Sequence, residues 1–198
     1  FHSICTVDTR VYAVVKFDKG DGTNKYILCE FDSSFNTDMA KTYSGSNGVF
    51  SVSSDFANGA VLDVVSGTHY LGQFTVAGGN IDVSAVDNSL SSAEIGFKFD
   101  VTLKTNPIDT LAQQGPMTGE PRSMNKVILD LSNTLSVSVN SNNLIIRQVT
   151  DDLSLARQAV TGKKEFRLLG YSKDPQVTIS QSAPLSLQVN SLVAEVTF

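Results

Sequence analysis

The sequence predicts an all-β protein: a β-meander of propeller-like strands, a small β-barrel, and a C-terminal antiparallel β-sandwich or barrel. Three observations carry this. Apolar and polar residues alternate with a period of two over many segments. Turn residues punctuate the chain at short intervals. Helical spacing is almost missing.

The first third reads as a meander. Ser3 to Val7 forms a strand, Asp8-Thr9 a tight turn, and Val11 to Phe17 the next strand. Asp18 to Asn24 is a glycine-bearing turn into a third strand, Lys25 to Phe31. Cys5 and Cys29 fall on the outer two strands. Next-but-one strands lie about 10 Å apart, beyond disulfide reach, so two free and mostly buried thiols are expected. That suits a reducing cytoplasm.

After Ser33 to Asp38 come short strands cut by Asn58-Gly59, Ser66-Gly67 and Gly78-Gly79. They are Ala60 to Val65, His69 to Val76 and Ile81 to Ser84, and such short strands suggest a small barrel. The clearest alternation follows: Ile95, Phe97, Phe99, Val101 and Leu103 on one face of a strand running to Lys104. A helix cannot bury one face with that period. Asn106 to Arg122, with three of the five prolines, reads as a linker. Val127, Leu129 and Leu131, then Leu135, Val137 and Val139, make two strands of a hairpin turning at Ser132 to Thr134. Asp151 to Val160 has loose helical spacing, with an irregular loop as the alternative. Leu185, Leu187 and Val189 alternate again, and Leu192 to Phe198 ends the chain as a strand. The expected division is 1–36, 37–105 and 106–198.

The 198 residues suffice for one large β domain or two small ones, with a core that needs no metal or disulfide. The net charge of −5 comes from 15 basic and 20 acidic residues in no long run. Nucleic-acid affinity rests mainly on Lys and Arg against phosphates, so tight DNA or RNA binding is not expected. The chain shows no signal peptide, no apolar span and no Asn-x-Ser/Thr sequon. It opens in mid-pattern without a methionine and reads as a fragment or processed product.

No catalytic, cofactor-binding or metal-binding residues are expected. His2 is terminal, and His69 follows a Gly-Thr turn as a half-buried turn residue. Tyr43 to Gly48 only shares composition with a nucleophile elbow. Asp18 to Asn24 suggests a calcium loop, but Lys19 and Gly20 break the ligand spacing and a hairpin turn is expected. Gly162-Lys163-Lys164 lacks the other residues of a P-loop. These lysines and Arg167 could meet a phosphate, but a solvated strand start is the plainer reading. Among the carboxylates, Asp63 and Asp82 lie on barrel strands and Asp130 alternates outward; solvent-facing charge is the default for all three. A glycoside hydrolase would need two carboxylates converging in a cleft. The aromatics (eleven Phe, five Tyr, no Trp) sit mostly at inward positions, which disfavours a sugar platform.

Five stretches, in order, resemble the C-terminal part of the tail nozzle proteins (tail tubular protein B type) of short-tailed bacteriophages. Phe1 to Lys16 with Tyr26 to Phe31 looks like that family's last propeller-type strands. "VVSGTHYLGQFTVAGGNIDV" (64–83) looks like its inserted small barrel, and "IGFKFDVTLKTNPID" (95–109) like the strand leaving it. Asn125 to Val139 resembles its N-[KR]-V-x-L-x-L hairpin. "VTISQSAPLSLQVNSLVAEV" (177–196) resembles its closing signature, with Gln181, Pro184, Leu185 and Leu187 in place. The family's large N-terminal propeller is missing here, and the glycines often seen in the second hairpin are replaced around Leu135 to Asn140. The resemblance implies a virion structural protein that catalyses nothing and uses no cofactor. It would sit in a ring, usually a hexamer, in the phage tail, after assembly in the host cytoplasm. It would extend the DNA-ejection channel, contact the tail adaptor and tail fibres, and let DNA pass without holding it. No membrane partner is implied. The alternative is a carbohydrate- or receptor-binding β module of a fibre or adhesin.

Overall fold

The computed structural model describes residues 2–19, 22–107, 111–112, 115–116, 121–147, 150–152 and 155–197. Every regular element among them is a strand, and the chain is all-β. It divides into two compact units, Phe1–Phe99 and Asp100–Phe198. The expected boundary near residue 36 thus falls inside the first unit.

The first unit opens with the predicted meander: β1 (Ser3–Val7), β2 (Arg10–Asp18) and β3 (Asn24–Glu30), hydrogen-bonded in that order. Asp8 adopts a left-handed φ of 53° in the two-residue turn that pairs Val7 with Arg10. β4 (Asp38–Ser46), β5 (Val49–Ser51), β6 (Val61–Ser66), β7 (His69–Thr75), β8 (Asn80–Asp82) and β9 (Ser92–Phe97) follow. They form one six-stranded sheet in the order β7-β6-β9-β4-β5-β8, curled into a half-barrel. Its concave side holds a core of Phe50, Val52, Leu62, Val64, Ile81 and Ile95, all fully buried. The meander joins this core through Phe17, whose ring meets Phe56 edge-on at 6.2 Å and Phe97 at 5.6 Å. Burying such a cluster of rings supplies both apolar area and favourable edge contacts.

The second unit is built on β13 (Arg122–Thr134), its longest strand. Before it come β10 (Val101–Lys104), β11 (Leu111–Ala112) and β12 (Gly115–Pro116), the last two forming a small ladder within the predicted linker. After it come β14 (Ser138–Val139), β15 (Asn142–Asn143), β16 (Val160–Arg167), β17 (Tyr171–Ser172), β18 (Thr178–Gln181) and β19 (Val189–Thr197). β13 pairs with β16 and β17 along one edge and β19 along the other. A second sheet runs β10-β18-β14-β15. Val127, Leu129 and Leu131 of β13 share one core with Val139, Phe166 and Ile179, as a sandwich requires.

Several expectations are corrected. The continuous strand from Ile95 to Lys104 is two strands, β9 and β10, in different sheets of different units. Ile95 is buried, yet Phe99, Val101 and Leu103 are exposed. The hairpin at Ser132 to Thr134 does not form. Asn133 takes a left-handed φ of 44° at a register shift, and β14 leaves to join β18 in the other sheet. A real hairpin lies just beyond, where Asn140 and Ser141 (φ 45° and 70°) turn β14 into β15 without glycine. Leu185 is buried but lies outside any strand, because the chain from Ser182 to Gln188 is a loop. In the predicted 151–160 segment, 153 and 154 lie outside the described residues; the rest is not helical, and Val160 opens β16. Both cysteines are free, but Cys5 is exposed and Cys29 half-buried rather than both buried. The register explains it: Cys5 pairs with Tyr12 on the face of the meander turned away from Ala13 and Cys29.

Candidate functional site

A concavity lies inside the first unit. It is a groove of about 550 Å³ lined by β2, β3, β4, the connection between β3 and β4, and the Asp55–Phe56 turn. Its size falls within the range of ligand-binding sites. Ala13, Val15, Ile27, Phe31, Phe35 and Phe56 give it apolar walls.

The polar end is organised by Asp55. Its Oδ2 accepts hydrogen bonds from Tyr43 OH (2.8 Å), Ser54 Oγ (2.9 Å) and Lys41 Nζ (3.0 Å). Its Oδ1 accepts from Lys25 Nζ at 3.3 Å. Burial alone would raise the carboxyl, but these four donors together outweigh it and hold Asp55 well below the usual carboxylate range. Burial, reinforced by the bond to that carboxylate, pushes the Tyr43 hydroxyl up. The cluster stitches β3 and β4 to one turn: Lys25 Nζ also reaches the Ser54 carbonyl at 3.0 Å, and Lys19 Nζ the Ser53 carbonyl at 3.2 Å. Burial and then Asp38 raise the Cys29 thiol, so it sits in the groove wall as a protonated group rather than a nucleophile.

The opposite wall is shaped by a β-bulge. Between Asp38 and Lys41 the strand gains one residue over Phe97 to Ile95 of β9, and Met39 takes a left-handed φ of 52°. Glu94 holds the approach to this bulge. Its Oε1 accepts from Asn36 N (2.7 Å), Thr37 N (2.8 Å) and Thr37 Oγ1 (2.8 Å). Gly96 lies under the bulge because a Cβ there would come within 2.5 Å of the Asp38 carbonyl.

The residues weighed from sequence are scattered. His2 stacks edge-on against Tyr26 at 5.5 Å. His69 pairs with Ser66 at the start of β7, half-buried as expected. Tyr43 to Gly48 runs into the β4–β5 hairpin, with Asn47 and Gly48 both left-handed. The Asp18–Asn24 turn closes a hairpin, Lys19 N bonding the Thr23 carbonyl at 3.3 Å; Gly20 and Asp21 lie outside the described residues. Gly162, Lys163 and Lys164 lie on β16 with Arg167, and all three cationic side chains are exposed. Asp82 is exposed and Asp130 half-buried, but Asp63 is fully buried, against the expectation of a solvent-facing charge. Its Oδ1 accepts from Tyr70 OH at 3.0 Å, and burial followed by this bond pushes Tyr70 up to about 12. Among the described residues no group of three or more His, Cys, Asp or Glu is placed to hold a metal ion. Sequence reasoning missed Asp55 altogether. It stands in a Ser-Ser-Asp turn without motif, and its partners come from three separate segments.

In the second unit the Gln181 to Leu187 constellation has a structural role. Gln181 Nε2 donates to the Leu185 carbonyl at 2.7 Å, pinning the loop after β18 and setting Leu185 in the interior.

No protein-family model matches the chain, nor does any curated protein sequence.

Proposed function

We propose that this chain is a virion structural module, the C-terminal β part of a short-tailed phage tail nozzle, working through interfaces rather than chemistry. The observation that carries the reading is the ordered resemblance of five stretches, ending in the Gln181–Leu187 signature whose glutamine pins a loop. Large apolar side chains left exposed on strands, among them Leu28, Tyr26, Val101, Leu103 and Val193, support an assembly role. In this reading the module belongs to a homo-oligomeric ring around the DNA-ejection channel and meets the tail adaptor and fibre proteins. The net acidic charge suits a wall that lets DNA pass. It needs no cofactor and no catalytic residue.

Electron microscopy of intact virions labelled with antibody against the module tests this. Label on the distal tail ring is the expected result; label on fibres alone, or on no particle, refutes it. One observation favours a second reading, a receptor-binding module: the groove sets Phe31, Phe35 and Tyr43 beside the Asp55 cluster. Saturable binding in a glycan screen, lost on Tyr43→Ala, would favour that reading.

A further inference from the structure

The groove is bounded by the outer edge of β3, which no strand among the described residues pairs. Phe31 N donates to the Val11 carbonyl at 2.9 Å. Hydrogen-bonding direction alternates along a strand, so the odd-numbered residues of β3 bond to β2. Tyr26, Leu28 and Glu30 therefore aim their N–H and C=O groups away from β2. Among the described residues no strand pairs with that edge. The consecutive residues Ile27 to Asp32 all line the groove. Neighbours on a strand face opposite ways, so only the edge of β3 can present them all to one space. Met39, Ala40 and Lys41 form the facing wall.

Two further features specify what fits. Leu28 at 68% exposure and Phe31 at 60% leave apolar surface on either side of the edge. The charge lining the groove is mostly negative: Glu30, Asp32, Asp38 and Asp55 stand against Lys41 alone. Asp55 is already matched by lysines and Glu30 by Arg10 at 3.0 Å. Asp32 accepts from Ser34 N (2.8 Å) and from the Ser34 side chain and feels Arg10 more weakly, Asp38 accepts from Met39 N (2.9 Å), and both face solvent.

We propose that this groove receives an extended segment of a partner protein, apolar and cationic at alternate positions, which adds as a fourth strand to the outer edge of β3. Main-chain bonds to Tyr26, Leu28 and Glu30 would supply affinity, and alternate side chains entering beside Ile27 and Cys29 would supply selectivity. The cationic residues would meet Asp32 and Asp38. This inference rests on the groove alone and is independent of the nozzle reading.

The test uses the full chain and a fluorescent peptide, acetyl-Val-Lys-Val-Thr-Val-Lys-amide, followed by anisotropy. Saturable binding is expected. The counterpart with Glu for Lys, and one N-methylated at alternate backbone nitrogens, should each bind at least about tenfold more weakly. Peptide binding should slow amide exchange at Tyr26, Leu28 and Glu30, which side-chain docking alone would not do. The double variant Asp32→Lys/Asp38→Lys should reverse the preference towards the glutamate peptide. If that variant fails to fold, the peptide pair on the native chain still decides. No saturable binding, equal binding of the two charge types, or indifference to N-methylation overturns the proposal. So does a self-associated native chain with those same three amides already protected, since a second copy would then be the occupant.

Discussion

Replacing Gly96 by alanine probes how tightly the bulge in β4 is held. The new Cβ would lie 2.5 Å from the Asp38 carbonyl oxygen and 2.6 Å from Thr37 Oγ1, where ordinary contacts begin near 3.4 Å. One obstacle is backbone, so it cannot rotate away; residues 37 and 38 must move by close to an ångström. Overpacking of this kind costs about 1–3 kcal/mol. The same movement loosens the three hydrogen bonds to Glu94 Oε1, for which about 1 kcal/mol more is a discounted figure because the carboxylate is only part-buried. A total near 3 kcal/mol should lower the melting temperature of a unit this size by about 12–24 °C. The assay is scanning calorimetry of parent and variant, with hydrogen exchange at Asn36 and Thr37 as a local readout. Gly59→Ala is the control: its φ of +88° strains a side chain, but nothing lies within 4 Å. Strain alone should cost about 1–2 kcal/mol. A Gly96→Ala melting point within about 2 °C of the parent, or above that of Gly59→Ala, would show that the bulge yields freely and would refute the reasoning.

Leu129→Ala empties a fully buried site in β13 and should destabilise the second unit by about 2–5 kcal/mol in urea unfolding. Thiol reagents should modify exposed Cys5 quickly and Cys29 slowly, and a reductant should leave the melting point unchanged because the thiols are not paired. The lowered Asp55 carboxyl contributes stability that is full above its unfolded value, about 4, and is lost as pH falls towards the folded one. Asp55→Asn should therefore flatten the acid side of the stability profile below about pH 4 and leave the slope between about pH 5 and 9 unchanged; above that, losing the carboxylate that Tyr43 bonds also weakens the alkaline dependence. Tyr70, raised to about 12, contributes in the opposite sense. Its stabilisation is complete below pH about 10 and disappears as pH rises through that interval, so Tyr70→Phe should reduce the alkaline loss seen by circular dichroism.

The meander and the short strands of the half-barrel were legible because each is closed by its own turn. Asp8-Thr9 and Ser66-Gly67 fix the chain locally, and at both the partner strand is the next in sequence. The pattern failed where partners are remote. Ile95 to Lys104 keeps one phase of alternation through a break, because β9 and β10 each obey period two within a different sheet. Periodicity reports which face is apolar but not which strand lies alongside. Asn133 carries the signature of a turn, and its left-handed φ is real, yet it serves a register shift inside a ladder. The groove was illegible for a related reason. Lys25, Lys41, Tyr43 and Asp55 are unremarkable polar residues one by one, and only the topology brings them within hydrogen-bonding distance.

The pairing of β10 with β18, and of β13 with β19, has a consequence for the order in which the chain acquires structure during synthesis. Everything the first unit needs is present once Phe99 has left the ribosome, its widest ladder being β4 with β9. The second unit must wait for its last strands, since its first and its longest strand both take late partners. Until then Val127, Leu129 and Leu131 stand on a nascent β13 without its C-terminal partner β19. Loop closure over that separation is slow, and an uncovered apolar strand is where nascent chains stick to one another. Expression yield should therefore depend on how quickly β19 follows β13 out of the tunnel, and co-translational aggregation should be concentrated in the second unit.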